Sequence, residues 1–415
     1  MSNCVTELVC IHCQAKLTSD SEVDQPWLTC GLCGPADGIY DIGYDLDAVQ
    51  RSWDESPLAS RPLNHWRYHE LLPLESASIP HHWSVGWTPL VETQRLASQL
   101  NLERLWLKDE GRNPTASFKD RASSVGVAHA REVGATTIAC ASTGNAATSL
   151  AGHAALAGMP AVIFVPATAP EPKLAQLLVF GATVIAVEGS YDQAYNLCSS
   201  ACERFGWYNR NCAINPVLVE GKKTGGLEIA EQMAAIGSQP DWIAVSVGDG
   251  CTIAGIWKGL VQMHALKIID RLPKLLSVQA QDVAPVHHAM EQNRLPDCSG
   301  GNTLADSINV AVPRNWRKAV AAIRESHGVG VEVSDEEILD AMRTAGRHGV
   351  FAEPAAAAAL AGVVSAVSQG IIAPRSHVLA MITGSGLKDT NSAMQAGGRL
   401  LRTEPDMGKL ETILM

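Results

Sequence analysis

The run Pro114-Thr-Ala-Ser-Phe-Lys-Asp-Arg121 sets Lys119 between a stretch that reads as a strand, Arg104 to Lys108, and one that reads as a helix, Asp120 to Glu132. Ordinary lysines lie on helix faces. This one is enclosed by Pro, Ser and Phe, followed by an acid–base pair, and placed at a helix N-terminus whose partial positive charge disfavours a second cation. Such surroundings lower a lysine's pKa towards the range where its neutral amine attacks a carbonyl. The competing reading is a surface lysine salt-bridged to Asp120.

Three further loops, Ser142-Thr-Gly-Asn145, Gly248-Asp-Gly250 and Thr383-Gly-Ser-Gly386, each follow an apolar strand-like run. Loops at the ends of parallel strands converge on one cleft. Their chemistries are complementary: an amine for an aldehyde, an amide with free N–H groups, a glycine-rich phosphate cradle and a hydroxyl. Pyridoxal phosphate asks for those four things. Asn145 precedes a small-residue run, so the N–H groups of Ser142, Thr143, Gly144, Asn145 and Ala146 can close around a substrate carboxylate. A plain N-cap is the alternative for Asn145. Gly248 and Gly250 let the main chain of the loop, through Asp249, Cys251 and Thr252, approach a phosphate, and a helix opening at about Thr252 adds its dipole.

Outward from these loops the pattern is regular. The apolar runs Thr136 to Ala141, Ala161 to Val165, Thr183 to Val187, Trp242 to Val247, Leu275 to Gln279 and Val378 to Ile382 alternate with helical stretches. That alternation predicts a parallel sheet with helices on both faces. Residues from about Tyr44 to Leu90 mix Trp, Pro and His with weak periodicity and read as a linker wrapping onto the next domain.

Near the N-terminus, Cys10-Ile-His-Cys13 and Cys30-Gly-Leu-Cys33 have zinc-ribbon spacing. Two thiolates three apart on a turn can face one metal, and two such pairs complete a closed tetrahedral site, for stability and not for chemistry. A redox CxxC pair and a DNA-binding ribbon are the alternatives. Both are disfavoured, by the lack of a preceding βαβ unit and by Asp20, Glu22 and Asp24 between the pairs.

The whole chain has 32 Lys and Arg against 43 Asp and Glu, with no basic stripe, which argues against nucleic acid as a partner. The longest apolar stretch, from Pro354, is too short to span a bilayer, and no signal peptide is legible. The expected compartment is the cytosol, where the 11 cysteines stay reduced unless they bind metal.

These residues, with Trp66-Arg-Tyr-His-Glu-Leu-Leu-Pro73, Asn215-Pro216, Glu220-Gly-Lys-Lys-Thr224, Ser334-Asp-Glu-Glu-Ile338, Glu353-Pro354 and Thr383-Gly-Ser-Gly-Leu-Lys-Asp389, make the chain resemble the threonine synthase branch of the fold-type II pyridoxal phosphate enzymes nearly end to end. The resemblance implies an α/β fold of two parallel-sheet domains with a small zinc-ribbon module. Residues 1–45 would be the ribbon, 46–130 and 216–415 the larger, cofactor-binding domain, and 131–215 the smaller. It implies a homodimer. Lys119 would carry the cofactor covalently and afterwards shuttle protons, Asn145 would hold its 3′-oxygen, Gly248 to Thr252 would cradle its phosphate, and Thr383 would meet its pyridine nitrogen. Phe118 would pack beside the ring or in the core.

Departures from the family pattern bear on the substrate. Ala146 stands where a threonine is usual, and Cys212, Ala213, Leu218 and Lys222 interrupt the NS-x-NP-x-RLEGQKT pattern. Asp249 replaces an asparagine. Groups expected to hold the phosphate of O-phosphohomoserine are thereby lost, each charge-assisted hydrogen bond being worth ~1.5–3 kcal/mol, with Lys222 as a partial offset or a solvent-exposed helix lysine. The leading expectation is elimination or replacement on an amino acid whose side chain is neutral or positive. Authentic threonine synthase and a cysteate-synthase-like or ammonia-lyase-like β reaction are the alternatives. A zinc-ribbon regulator that only binds an amino acid is the non-enzymatic one.

Overall fold

Strands buried on both faces show continuous apolar runs, and Trp242–Ser246 and His377–Ile382 are of that kind, buried along nearly their whole length. They lie at the centre of a six-stranded sheet in a computed structural model describing residues 4–18, 29–80, 82–169, 171–212, 214–296 and 301–414. Ala213 and the acids Asp20, Glu22 and Asp24 lie outside the described residues. The strand order is Val329–Val333, Lys274–Ala280, Trp242–Ser246, His377–Ile382, Arg104–Asp109, Leu90–Glu92, all parallel except the last. A second, fully parallel sheet runs Thr183–Val187, Ala161–Pro166, Ile138–Ala141, Tyr208–Asn209. The edge strands Val329–Val333 and Leu90–Glu92 escape the sequence reading, because half-exposed edges carry little apolar signal.

Helices cover both faces of the larger sheet. Pro354–Ser368 comes close because its side chains are small: a Cβ on Gly362 would stand 2.3 Å from Val278 Cγ2. The segment from Tyr44 to Leu90 is no loose linker. Asp45 caps the helix Leu46–Glu55, whose Val49 and Trp53 are buried, and Trp66, Tyr68 and Trp83 are almost fully enclosed. Trp66, Trp83 and, from the helix Lys119–Glu132, Val125, Val127, Ala128 and Ala130 join the core of the four-stranded sheet.

The small N-terminal sheet pairs Val5–Cys10 with Lys16–Thr18 and Tyr40–Tyr44, all antiparallel. Among the described residues no helix is long and apolar enough to cross a membrane.

Candidate active site

Lys119 is the first residue of its helix, one position earlier than the sequence suggests. The lysine loop is pinned to the loop after His377–Ile382, where Phe118 N–H donates to the Thr383 carbonyl (2.8 Å) and Ser385 N–H to that of Ala116 (3.0 Å). Ala116 has φ of 63°, a left-handed conformation costly for a residue with a Cβ, three positions before the helix begins.

Asp120 does not pair with the Lys119 amine. Its carboxylate accepts from Thr115 N–H (2.8 Å) and Oγ1 (2.6 Å) and lies 3.1 Å from His153 Nε2. The surface-salt-bridge reading of Lys119 therefore fails. Phe118 is wholly buried in the core of the larger sheet, which decides between its two expected places. Burial, and then the Lys222 ammonium, lower the pKa of Lys119.

A cavity of about 550 Å³ is lined by Lys119, Ser142, Thr143, Gly144, Asn145, Ala146, Lys222, Gly248, Asp249, Gly250, Cys251, Thr252 and Thr383. That volume suits a small organic ligand. All thirteen positions expected from the sequence to bind cofactor or substrate thus meet in one place. Some roles change. Asn145 is the first helical residue after Gly144 and does not act as an N-cap; its Nδ2 donates to Glu353 Oε1 at 2.8 Å. Burial raises the Glu353 carboxyl. Ser142 N–H is taken by the Phe164 carbonyl (3.1 Å) and Gly144 N–H by Ser142 Oγ (3.2 Å). Thr143, Asn145 and Ala146 therefore supply the N–H groups left for a carboxylate.

The helix after the glycine loop begins at Cys251, with Gly250 as its N-cap at φ of 90°. Its first N–H groups have no intrahelical acceptor. A Cβ on Gly248 would come within 3.0 Å of Ile308 Cα, and one on Gly250 within 2.9 Å of Ala319 Cβ, so the glycines also let residues 307–319 close over the loop. Asp249 turns towards that cover: its Oδ1 accepts Arg314 N–H at 2.7 Å. It does not stand unpaired, and burial raises its pKa.

Lys222 is no surface lysine but 1% exposed, with Nζ 3.1 Å from Cys212 Sγ. Arg210 Nη1 is 3.4 Å from the same sulfur. The neighbouring Cys251 thiol, with Lys222 and Arg210, pulls the Cys212 thiol well below its usual range. Burial opposes the charge on Lys222, yet the adjoining thiolate keeps its pKa above the ordinary lysine value. One cavity thus holds two lysines driven in opposite directions, the pattern that separates a base from a fixed cation.

Leu218 does not line the cavity. It is fully buried, its Cδ2 2.7 Å from where a Cβ on Gly126 would stand, and it fills the joint between two helices. Sequence reading missed Glu353, Arg210, Tyr191, Tyr195 and Arg314 as cavity residues. Only Glu353-Pro354 carried a signal, as part of the resemblance.

In the N-terminal sheet and its turns, the ligand atoms of Cys10, Cys13, Cys30 and Cys33 lie within 4.8 Å of one another, with Cys13 and Cys30 sulfurs 3.7 Å apart. A tetrahedral zinc with Zn–S near 2.3 Å requires sulfurs about 3.8 Å apart, so the cluster fits a metal.

The chain matches the family model "Pyridoxal-phosphate dependent enzyme" over residues 84–384. It is 36% identical to a threonine synthase of Methanocaldococcus jannaschii over 98% of both chains. It is 38% identical to one of Methanosarcina acetivorans over 93% of both. Among solved structures, threonine deaminase isoform 2 from Solanum lycopersicum superposes with a TM-score of 0.66 at 22% identity, covering 74% of this chain and 86% of that one. Diaminopropionate ammonia lyase from Escherichia coli gives 0.66 at 18%, covering 77% and 88%. At those identities the likeness is one of fold. With an amine, an amide, a glycine loop and a hydroxyl meeting in one cavity, and relatives matching from end to end, the chain belongs to the pyridoxal-phosphate dependent enzymes and, among them, to the threonine synthase-like lyases.

Proposed function

We propose that the protein eliminates or replaces a β or γ substituent of an amino acid whose leaving group is not phosphate. The observation that carries this reading is the cavity wall formed by Ala146 and Asp249. Ala146 offers no side-chain donor, and an acidic side chain in a cleft of low dielectric opposes a dianion. The buried Lys222 ammonium favours a second reading, threonine formation from O-phosphohomoserine as in the relatives, since it offers that phosphate a cation.

Pyridoxal phosphate, when bound, supplies an electron sink for a carbanion beside the substrate amino group. Lys119 would hold it, with Asn145, Thr383 and the loop Gly248 to Thr252. The Lys119 amine, whose pKa is lowered by burial and by Lys222, would take the Cα proton and return it. Glu353 fixes the Asn145 amide, and Thr143, Asn145 and Ala146 N–H groups orient the substrate carboxylate. Residues 307–314 shield the glycine loop from water. We place the reaction in the cytoplasm, in a homodimer, with the chain divided at about residues 45, 130 and 215.

Steady-state kinetics separate the two readings. Threonine is expected from O-phosphohomoserine at kcat/KM well below about 10⁴ M⁻¹s⁻¹, the lower end for ordinary enzymes, and a value at or above it establishes the second reading. Ala146→Thr with Asp249→Asn is expected to lower KM for the phosphorylated substrate. Leu218→Arg belongs to no such set, because that position faces Gly126.

Zinc is proposed as the metal of the four cysteines, at about one ion per chain in elemental analysis. Cys10→Ser with Cys13→Ser should remove it. Undiminished zinc in that variant refutes the site.

A further inference from the structure

The cysteine module stands against the cavity. Ile11, inside the first CxxC turn, and Ile39, just past the second, pack with Val219 and Cys251 beside Cys212. Cys251 opens the helix Cys251–Ala265 that follows the glycine loop, and Val219 lies one turn before Lys222. Two turns along the same helix, Lys258 is held by the module as well. Its Nζ donates to both Asp41 carboxylate oxygens (3.1 Å each), to the Ile42 carbonyl (2.7 Å) and to Glu220 Oε1 (2.6 Å). Lys318 Nζ reaches the Tyr40 carbonyl (2.7 Å) and Asp41 Oδ1 (2.8 Å), and Arg317 Nη2 reaches Asp37 Oδ1 (2.8 Å).

These contacts have a common direction. An apolar plug bears on the first residue of the cradle helix, a charged clamp grips that helix two turns on, and both spring from the strand Tyr40–Tyr44 and the turns that carry the cysteines. Packed interiors pass displacement on and do not absorb it. A sheet of three short strands has little core of its own, and its cysteine side chains are part of that core. Metal bound by the four sulfurs would therefore hold Ile11 and Ile39 in place.

We propose that the cysteine module positions the phosphate cradle, so that metal occupancy and cofactor affinity are thermodynamically coupled. Ile11, Ile39 and Asp41 are its positioning residues. The inference rests on the reading of Gly248 to Thr252 as the cradle and of the four cysteines as the metal site. Linkage is reciprocal, so bound cofactor tightens zinc by the factor by which zinc tightens cofactor.

The test is a titration of pyridoxal phosphate, followed by its absorbance, into the cofactor-stripped full chain. The proteins compared are wild type, Ile11→Ala with Ile39→Ala, Asp41→Asn, and Thr252→Pro, which deletes one cradle N–H in a first helical turn that tolerates proline. Zinc content and the melting temperature of each stripped protein are measured alongside. The module variants are expected to retain zinc and to bind cofactor about 2- to 30-fold more weakly, the range over which residues on a coupling path shift an equilibrium. Equilibrium competition with a chromophoric chelator should show zinc bound more tightly once wild type holds cofactor. Unchanged cofactor affinity in the module variants, with Thr252→Pro weakened, overturns the coupling and leaves the cradle reading intact. Unchanged affinity in Thr252→Pro sinks the cradle reading and the inference with it. A lower melting temperature with unchanged affinity assigns the module a structural role only, and that too overturns the proposal.

Discussion

Lys119→Ala is expected to fold, to lose all borohydride-trapped cofactor label and to lose turnover by on the order of 10⁴-fold, the upper range for a positioned acid–base group. Two amines share the cavity, and only one is fit for the task. Lys222 is tied to the Cys212 sulfur at 3.1 Å and kept charged by it, whereas burial and Lys222 itself push Lys119 towards the neutral form. Peptide mapping of the reduced wild type should therefore find the label on Lys119, and a label on Lys222 would refute the assignment. The repulsion has a testable sign. Replacing Lys222 by Met removes a neighbouring cation and raises the Lys119 pKa, so the acid limb of cofactor reconstitution should move to higher pH and the rate near neutrality should fall. An unmoved limb would mean that burial alone sets the lysine.

Arg121→Leu is expected to cost about 3–5 kcal/mol of stability, the usual penalty for breaking a buried ion pair from one side. Arg121 is unexposed and makes a two-pronged contact with Glu110, both bonds at 2.8 Å, while its Nη2 also lies 2.9 Å from Glu228. Glu228 further accepts the N–H groups of Trp87 (2.6 Å) and Thr88 (2.9 Å) and pairs with Lys108. Leucine would leave two carboxylates sharing one lysine in an apolar interior. Urea denaturation measures the loss, and less than about 1 kcal/mol would mean that the acids simply take up protons.

The pH dependence follows from Glu228. Burial opposes its charge, but Arg121 and Lys108 hold its pKa down to about 2, against an ordinary 4.5. A depressed carboxylate stabilises the fold above its unfolded pKa and loses that contribution as pH falls from about 4.5 towards 2. The advantage of wild type over Arg121→Leu should therefore shrink as the solution is acidified from pH 5 to about pH 3. An advantage that grew would reverse the sign.

The parallel strands, the four loops and the cysteine spacing were legible because each is a local pattern. A strand buried on both faces has to be apolar throughout, a strand-end loop shows its amine, amide or hydroxyl in the sequence, and paired CxxC turns present their sulfurs by spacing alone. Lys119, Asn145 and Thr383 could be named on that basis. Edge strands and the wrapping segment before Leu90 could not, since their order comes from what they pack against.

What the sequence determined by itself was thus the fold class, the convergence of four chemistries on one cleft and the four thiols of the module. The tertiary structure decided which partner each polar group meets. Asp120 turns to His153, Glu353 reaches Asn145 across 208 residues of chain, Lys222 finds the Cys212 sulfur, Asp249 takes a backbone N–H and Leu218 leaves the cavity altogether. The physical reason is that burial removes water as a partner. Each enclosed charge must then be met by whichever group the packing of distant segments brings within reach.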